Sequence, residues 1–396
     1  MNTSIQAAAI RHAIQSGALE FWFQPKVSFL SGKVSGGEAL IRWRRESGGV
    51  LPAGAWLPVA KEHGLMQEIA RATFPMLCAN IAQICEETED IKIAFNMEAG
   101  DLESTDIVDR LLKAVQSGEL DASRIQIELT EASLPRDGHA MADNIQRLTE
   151  TGISLAMDDF GTGFSSLDTL RKLPFTTVKI DQGVVMTLQE SAKSSAIVLS
   201  SVRMAYEMGL TVVAEGVESE EVYDVLQQAG CSEAQGYWIS KALPLQKFIR
   251  FANAGKQWLA SPIGQIRHVE IDHLLWCKNV LAMVFGETTY GMSQQSATEI
   301  MDHVSCRFGK WLETGDPSLL CIPEFSALAE PHQQVNQAGS ELIAAAQAGA
   351  VIGEIQQRAL NFNRKAEALM HGLQALEIQV LMGGLNNSPQ AQAKLS

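Results

Sequence analysis

Eight polar residues stand at or beside the ends of short apolar runs in the first two-thirds of the chain: Glu38, Asn96, Glu128, Asp158, Asp159, Lys179, Asp181 and Glu215. Six of them are carboxylates. Like charges brought close together repel and raise each other's pKa, so such a group needs a cation to stay ionised. Oxygen-only donors, including the Asn96 amide, suit hard ions such as Mg²⁺ or Mn²⁺. The adjacent Asp158 and Asp159 suit a pair of ions sharing a bridging ligand, the arrangement that cleaves phosphodiesters. Lys179 adds a fixed cation able to orient the attacking water. Taken one at a time, each acid is as easily a helix cap or a solvated loop residue. That reading weakens when all of them fall at the same end of successive strands.

The elements that must position them alternate. Strand patterns cover Phe21–Gln24, Ser35–Ile41, Ile91–Asn96, Ile125–Thr130, Ser154–Asp158, Thr177–Asp181, Thr211–Ala214 and Glu233–Tyr237. Helical spacing fills most of the gaps, as in Ile107–Val115 and Ile197–Met208. Eight strands with helical crossovers predict a (β/α)8 barrel, in which residues at the carboxyl ends of different strands converge on one mouth. The first two strands are joined only by a short turn around Ser31-Gly32-Lys33. A parallel crossover needs a dozen or more residues, so this pair is expected to be antiparallel. After strand five comes Gly161-Thr162-Gly163, whose glycines permit close backbone approach.

The texture changes after Ala260. Ser261-Pro262-Ile263-Gly264 marks a boundary. Beyond it, helical periodicity predicts four helices, Ile266–Phe285, Ser293–Thr314, Pro323–Ala348 and Ile352–Met382, forming an all-α bundle. The expected organisation is a barrel over 1–258, a helical bundle over 265–382 and a disordered tail over 383–396.

Composition bounds the rest. The 396 residues carry a net charge of −15, which excludes general binding of nucleic acid polymers, since no basic surplus is present to displace counterions. Six scattered cysteines lack a disulfide framework, and neither a signal peptide nor an apolar run long enough to span a membrane is visible, so a cytoplasmic protein is expected.

The motifs Gln24-Pro25, Glu38-Ala39-Leu40-Ile41-Arg42-Trp43, Asn96, Glu128-Leu129-Thr130-Glu131, Asp158-Asp159-Phe160-Gly161-Thr162-Gly163, Lys179-Ile180-Asp181, Glu215-Gly216-Val217-Glu218 and Gln235-Gly236-Tyr237 follow one another in order. Over residues 15 to 250 the chain resembles the EAL family of cyclic di-GMP phosphodiesterases. The resemblance implies a barrel with one antiparallel strand and hydrolysis of cyclic di-GMP to linear pGpG. It implies two Mg²⁺ or Mn²⁺ ions held by Glu38, Asn96, Glu128, Asp158, Asp159 and Glu215, with Asp181 supporting the second. Lys179 would position the nucleophilic water and Glu131 would anchor the loop after strand five. Gln24, Leu40, Arg42, Glu218 and Gln235 match positions that contact the dinucleotide. A homodimer is also implied. Family members that have lost activity act as cyclic di-GMP receptors or protein-interaction modules, but here every metal-ligand and lysine position is retained. The departures are peripheral: Met97-Glu98 after the asparagine, and Ala242 in place of proline after Lys241.

Residues 266 to 350 resemble the CZB family of zinc-binding sensor domains, through His273, the motif Cys306-Arg307-Phe308-Gly309-Lys310-Trp311, and His332. The resemblance implies that His273, Cys306 and His332 bind Zn²⁺, which favours imidazole and thiolate donors. The family's fourth ligand, a second histidine one turn after His332, is Asn336 here. Water, another group such as His303, or unstable binding are the three outcomes this leaves. Zinc or thiol state at the bundle is then expected to regulate the barrel.

Overall fold

The computed structural model describes residues 6–103, 105–130, 139–160, 169–170, 172–208, 210–258, 261–285, 307–314 and 317–386. Among the described residues there are ten strands: β1 Leu19–Ser28, β2 Val34–Arg44, β3 Val50–Pro52, β4 Lys92–Asn96, β5 Ile125–Thr130, β6 Ser154–Phe160, β7 Thr177–Ile180, β8 Thr211–Ala214, β9 Glu233–Gln235 and β10 Leu243–Pro244. They pair in the order β10-β1-β9-β8-β7-β6-β5-β4-β2-β3, and β1 also pairs with β2. That last pairing closes an eight-stranded barrel. β3 and β10 are short appendages on its rim.

β1 runs antiparallel to both of its barrel neighbours, β2 and β9, while the other barrel pairs are parallel. The cause is the turn foreseen in the sequence. Gly32, at φ +63, donates its N–H to Ser28 O at 2.9 Å and sends the chain straight back. β1 extends four residues beyond the predicted end at Gln24. Pro25 sits inside it opposite Gly37, and Lys26 follows on the same face as Gln24. Gly37 is required by packing, because a Cβ there would meet the Phe248 ring at 2.7 Å.

The helices that return the chain between parallel strands include Thr105–Gln116, His139–Thr149, Ala192–Glu207 and Glu220–Gln228. Their apolar faces join the strands in one core. Phe23, Ile93, Ile127, Leu155, Val178 and Val212 from the strands lie beside Leu111, Ile145, Val202 and Leu226 from the helices.

The C-terminal region is helical and has its own core, built on Ile266, Trp311, Leu342, Phe362 and Leu369. Its helices are Pro262–Phe285, Arg307–Thr314, Ala329–Gln347 and Ile352–Asn386, with short turns of helix at Pro317–Leu320 and Pro323–Ser326. Two differences from expectation stand out. The third predicted helix is broken after Ser326. The last continues to Asn386, four residues into the segment expected to be disordered, because no proline stops it before Pro389. The start of the second predicted helix, up to Cys306, lies outside the described residues, as does the tail from 387.

Barrel and bundle meet at a defined junction. Ser261 caps the Pro262 helix by accepting from Gly264 N at 3.1 Å, and Pro262 occupies the first helical position. Fully buried Gln227 clips this start to the barrel. Its Oε1 accepts from Ser261 N at 2.6 Å and its Nε2 donates to Phe29 O at 3.2 Å. Gly264 lets the helix come this close, since a Cβ would meet Gln227 Cγ at 2.4 Å. Among the described residues no helix is long and apolar enough to cross a membrane.

Candidate active site

The strand registers bring the polar residues level at one end of the barrel. Glu38 pairs with Ala94, Asn96 with Glu128 and Thr130 with Asp158. Lys179, fully buried in β7, is the hub. Its Nζ lies 2.6 Å from Glu215 Oε1, 2.8 Å from Glu128 Oε2, and 3.4 Å from both Glu38 Oε2 and Asp158 Oδ1. Asn96 Nδ2 and Gln235 Nε2 donate to the two oxygens of Glu38 at 2.9 and 2.7 Å. Four acids, two amides and a lysine that the sequence singled out therefore form one connected group.

Asp158 and Asp159 sit at a fault in the sheet. The β6–β7 register shifts between Met157 and Phe160, and Asp159 takes φ +60. In a regular strand neighbouring side chains point to opposite faces, and the irregular step breaks that alternation at this pair. Asp158 Oδ1 accepts from Asp159 N at 3.0 Å. Asp181, just past β7, caps the helix Gln182–Met186 by accepting from Gly183 N at 2.8 Å, so here it has a structural task as well. Glu131, the Gly161-Thr162-Gly163 loop, His303 and Cys306 lie outside the described residues.

Lys26 is a component that the sequence reading passed over. It is 2% exposed, and its Nζ lies 2.7 Å from Glu128 Oε1. Glu128 is thus held by an ammonium on each oxygen. The available signal was strand period: Lys26 is two residues from Gln24, so it faces the same side once β1 is allowed to pass through Pro25.

The electrostatics follow from this arrangement. Burial pushes the Glu128 carboxyl up, but Lys179 and Lys26 overcome it and hold the group at about 2. Burial would lower the pKa of Lys179, yet Glu128, Glu38, Glu215 and Asp158 keep it firmly charged. Glu215 is pushed up to about 8 by burial, with Asp158 and Glu38 adding repulsion. Glu38 and Asp158 are raised as well, chiefly by burial, and Glu128 repels both. Two lysines do not neutralise the four carboxylates joined to them, and Asp159 adds repulsion on Asp158, so the mouth carries surplus negative charge of the kind divalent cations offset. Among the described residues Gln235 Oε1 is a buried acceptor that meets no hydrogen-bond donor, a further sign of a polar occupant. The donor set therefore fits hard ions.

The expected dinucleotide contacts are arranged around this mouth. Gln24 lies opposite Glu38 in the β1–β2 ladder and donates to Ser240 O at 3.4 Å. Half-buried Leu40 and Arg42 lie two and four residues further along β2, and Arg42 Nη1 donates to Ile41 O at 3.1 Å. Glu218 is exposed and accepts from Gln182 Nε2 at 3.4 Å. Gln235 is buried, and its Nε2 donates to Glu38 Oε2 at 2.7 Å.

In the helical region, His273 and His332 are 4% and 3% exposed and both pack on Phe308, with ring centroids at 5.9 and 4.4 Å. Burial, and then His332, lower the pKa of His273 to about 4, so its imidazole is neutral. Asn336 Nδ2 lies 2.8 Å from His332 Nε2, and Cys277 Sγ lies 3.5 Å from His273 Nε2.

Fold and site together define an α/β barrel with an anionic mouth centred on a lysine. The model of the EAL domain matches residues 7–242, and the chain belongs to that family. The model of the chemoreceptor zinc-binding domain matches residues 273–343. Cyclic di-GMP phosphodiesterase PA2567 of Pseudomonas aeruginosa is 33% identical over 221 residues, 56% of this chain and 38% of that protein. Cyclic di-GMP phosphodiesterase RocR of the same organism is 32% identical over 246 residues, covering 62% of this chain and 63% of that one. The chain thus spans between about a third and two-thirds of such relatives. Among solved structures, a PaMucR phosphodiesterase in complex with c-di-GMP superimposes with a TM-score of 0.57 at 31% identity, over 61% of this chain and 98% of that chain.

Proposed function

We propose that the barrel hydrolyses cyclic di-GMP to linear pGpG with two divalent cations. The observation that carries this reading is the convergence of Glu38, Glu128, Asp158 and Glu215 on Lys179. Glu38, Asn96, Glu128, Asp158, Asp159 and Glu215 would hold the ions, with Asp181 supporting one of them. Bound there, Mg²⁺ or Mn²⁺ would supply a water of lowered pKa and stabilise charge on the phosphate. Lys26 and Lys179 keep Glu128 ionised, so one ligand is ready before any ion arrives. Gln235 and Asn96 fix the rotation of Glu38 through both of its oxygens. Lys179, held cationic, donates hydrogen bonds from the barrel floor and orients the attacking water. Arg42 and Gln24, on the rim, suit the phosphate and guanine of the dinucleotide.

The matched relatives named as cyclic di-GMP phosphodiesterases support this substrate class. The domain division at Ser261, and regulation of the barrel by zinc or thiol state in the helical region, belong to the same proposal. The Gln227 clip favours the latter, since it ties the start of the helix bearing His273 to the barrel wall.

Chromatography of cyclic di-GMP incubated with the purified chain and Mn²⁺ tests the proposal. The expected product is pGpG, abolished by chelation of the metal and by Glu38→Ala or Lys179→Ala. Tight binding without turnover would make the chain a receptor instead, and absence of binding would make it an interaction module.

A further inference from the structure

We propose that Cys277 is a zinc ligand of the helical region, replacing the histidine that Asn336 has displaced. This rests on the reading that the region binds zinc, and it goes further by assigning a ligand that the matched pattern does not contain.

The argument begins with helix geometry. In the Pro262–Phe285 helix, Cys277 lies four residues after His273, so their side chains share a face. Helical side chains lean toward the N-terminus, which directs the Cys277 thiol back over the His273 ring. The resulting Sγ to Nε2 distance is 3.5 Å, and both residues are buried. Zn–S and Zn–N bonds of about 2.3 and 2.05 Å at a tetrahedral angle place sulfur and nitrogen about 3.6 Å apart. The pair already spans one edge of a zinc tetrahedron.

Asn336 explains why another donor is needed. It lies one turn after His332, and its Nδ2 stands 2.8 Å from His332 Nε2 and 3.1 Å from His332 O. The amide is thus committed to its own turn, and its nitrogen is no metal donor. Among the described residues no three His, Cys, Asp or Glu side chains are already gathered as a metal site. His273 and Cys277 are the preformed pair. His332, packed on the same Phe308 ring as His273, is the third donor that closing on an ion recruits.

Binding transfers no electrons. The Cys277 S–H bond breaks, its proton leaves to solvent, and the thiolate electron pair forms the Zn–S bond. The replacement also changes the site's chemistry. A thiolate in place of an imidazole makes zinc binding more sensitive to oxidants, because sulfur is oxidised where imidazole is not.

The test uses the full chain. Zinc affinity is measured by competition with a chromophoric chelator, and Co²⁺ substitution reports thiolate ligation through its near-ultraviolet charge-transfer absorption. Cys277→Ser is expected to weaken zinc by at least about tenfold, lower the charge-transfer intensity and release one proton fewer on binding. Adding Asn336→His to Cys277→Ser is expected to restore zinc affinity without restoring the lost absorption. That rescue separates loss of a ligand from loss of folding. If Cys277→Ser binds zinc as tightly as the parent with unchanged absorption, the 3.5 Å contact is only an S–H···N hydrogen bond and the assignment falls. If the parent binds no zinc but Asn336→His does, the assignment falls while the region's zinc-binding frame stands. If neither binds, both fall.

Discussion

Replacing Lys26 by Met tests how the barrel mouth is held together. Methionine keeps the apolar stem of the side chain, one atom shorter, and removes the ammonium with its charge and its hydrogen-bond donors. Glu128 would lose the donor 2.7 Å from Oε1 and keep Lys179 at 2.8 Å on Oε2. Glu128 is fully buried, so water cannot replace the lost partner. Breaking a buried ion pair by removing one side costs about 3–5 kcal/mol. For a barrel of this size each kcal/mol moves the melting temperature by about 2–4 °C. Lys26→Met should therefore melt about 6–20 °C lower in chelator at pH 7. The pH sign is also fixed. Glu128 is held at about 2 against burial, so its contribution is present above its unfolded value and is lost as pH falls through the folded one. Without Lys26 the folded value rises, and the variant should unfold at a higher pH on acidification. A divalent cation returns positive charge to Glu128, so saturating Mn²⁺ should narrow the gap. Thermal melts followed by circular dichroism, with chelator and with Mn²⁺, decide the matter. A melting point within about 2 °C of the parent in chelator, or a gap that Mn²⁺ leaves unchanged, refutes the reasoning.

Glu215 acts with the opposite sign. Its carboxyl is raised to about 8, so the folded chain binds more protons than the unfolded one between about 4.5 and 8. Metal-free stability should accordingly fall as pH rises through that window, and the gain from Mn²⁺ should grow over it, as melts across pH would report. Gln227→Ala removes both bonds at the junction, and the buried Phe29 carbonyl left without its donor costs about 1–3 kcal/mol. Amide hydrogen exchange should quicken at the start of the Pro262 helix, whereas unchanged protection there would deny the clip its role. If zinc or thiol state governs the barrel, hydrolysis rates should differ between chelated and zinc-loaded chain, and Cys306→Ala should remove the difference. Equal rates throughout would end the regulatory proposal.

The barrel was legible because its acids mark strand ends. Each strand pattern ending in Asn96, Thr130 or Ala214 turned out to be a strand, and the short turn at Gly32 already dictated the antiparallel pair. Lys26 was not legible, since a proline inside a strand reads as its end, and only the ladder opposite β2 shows that the chain continues through it. The fault at Asp159 was hidden for a similar reason. Two adjacent aspartates announce a shared task, but not the shift in register and the φ of +60 that accompany it. Cys277 was passed over because a buried cysteine in a helix is ordinary packing until the His273 imidazole is found 3.5 Å away. The bond from Gln235 Nε2 to Glu38 Oε2 could not be read from its motif either, because it needs β9 and β2 brought to the same barrel mouth.

The central claim is that carboxylates from separate strands seat two divalent ions beside Lys179. Crystals of the chain grown with Mn²⁺ and measured at the manganese absorption edge test it most directly. Two anomalous peaks enclosed by Glu38, Asn96, Glu128, Asp158, Asp159 and Glu215 are predicted, both absent from Glu38→Ala crystals. A mouth without manganese, or peaks confined to surface acids, would contradict it.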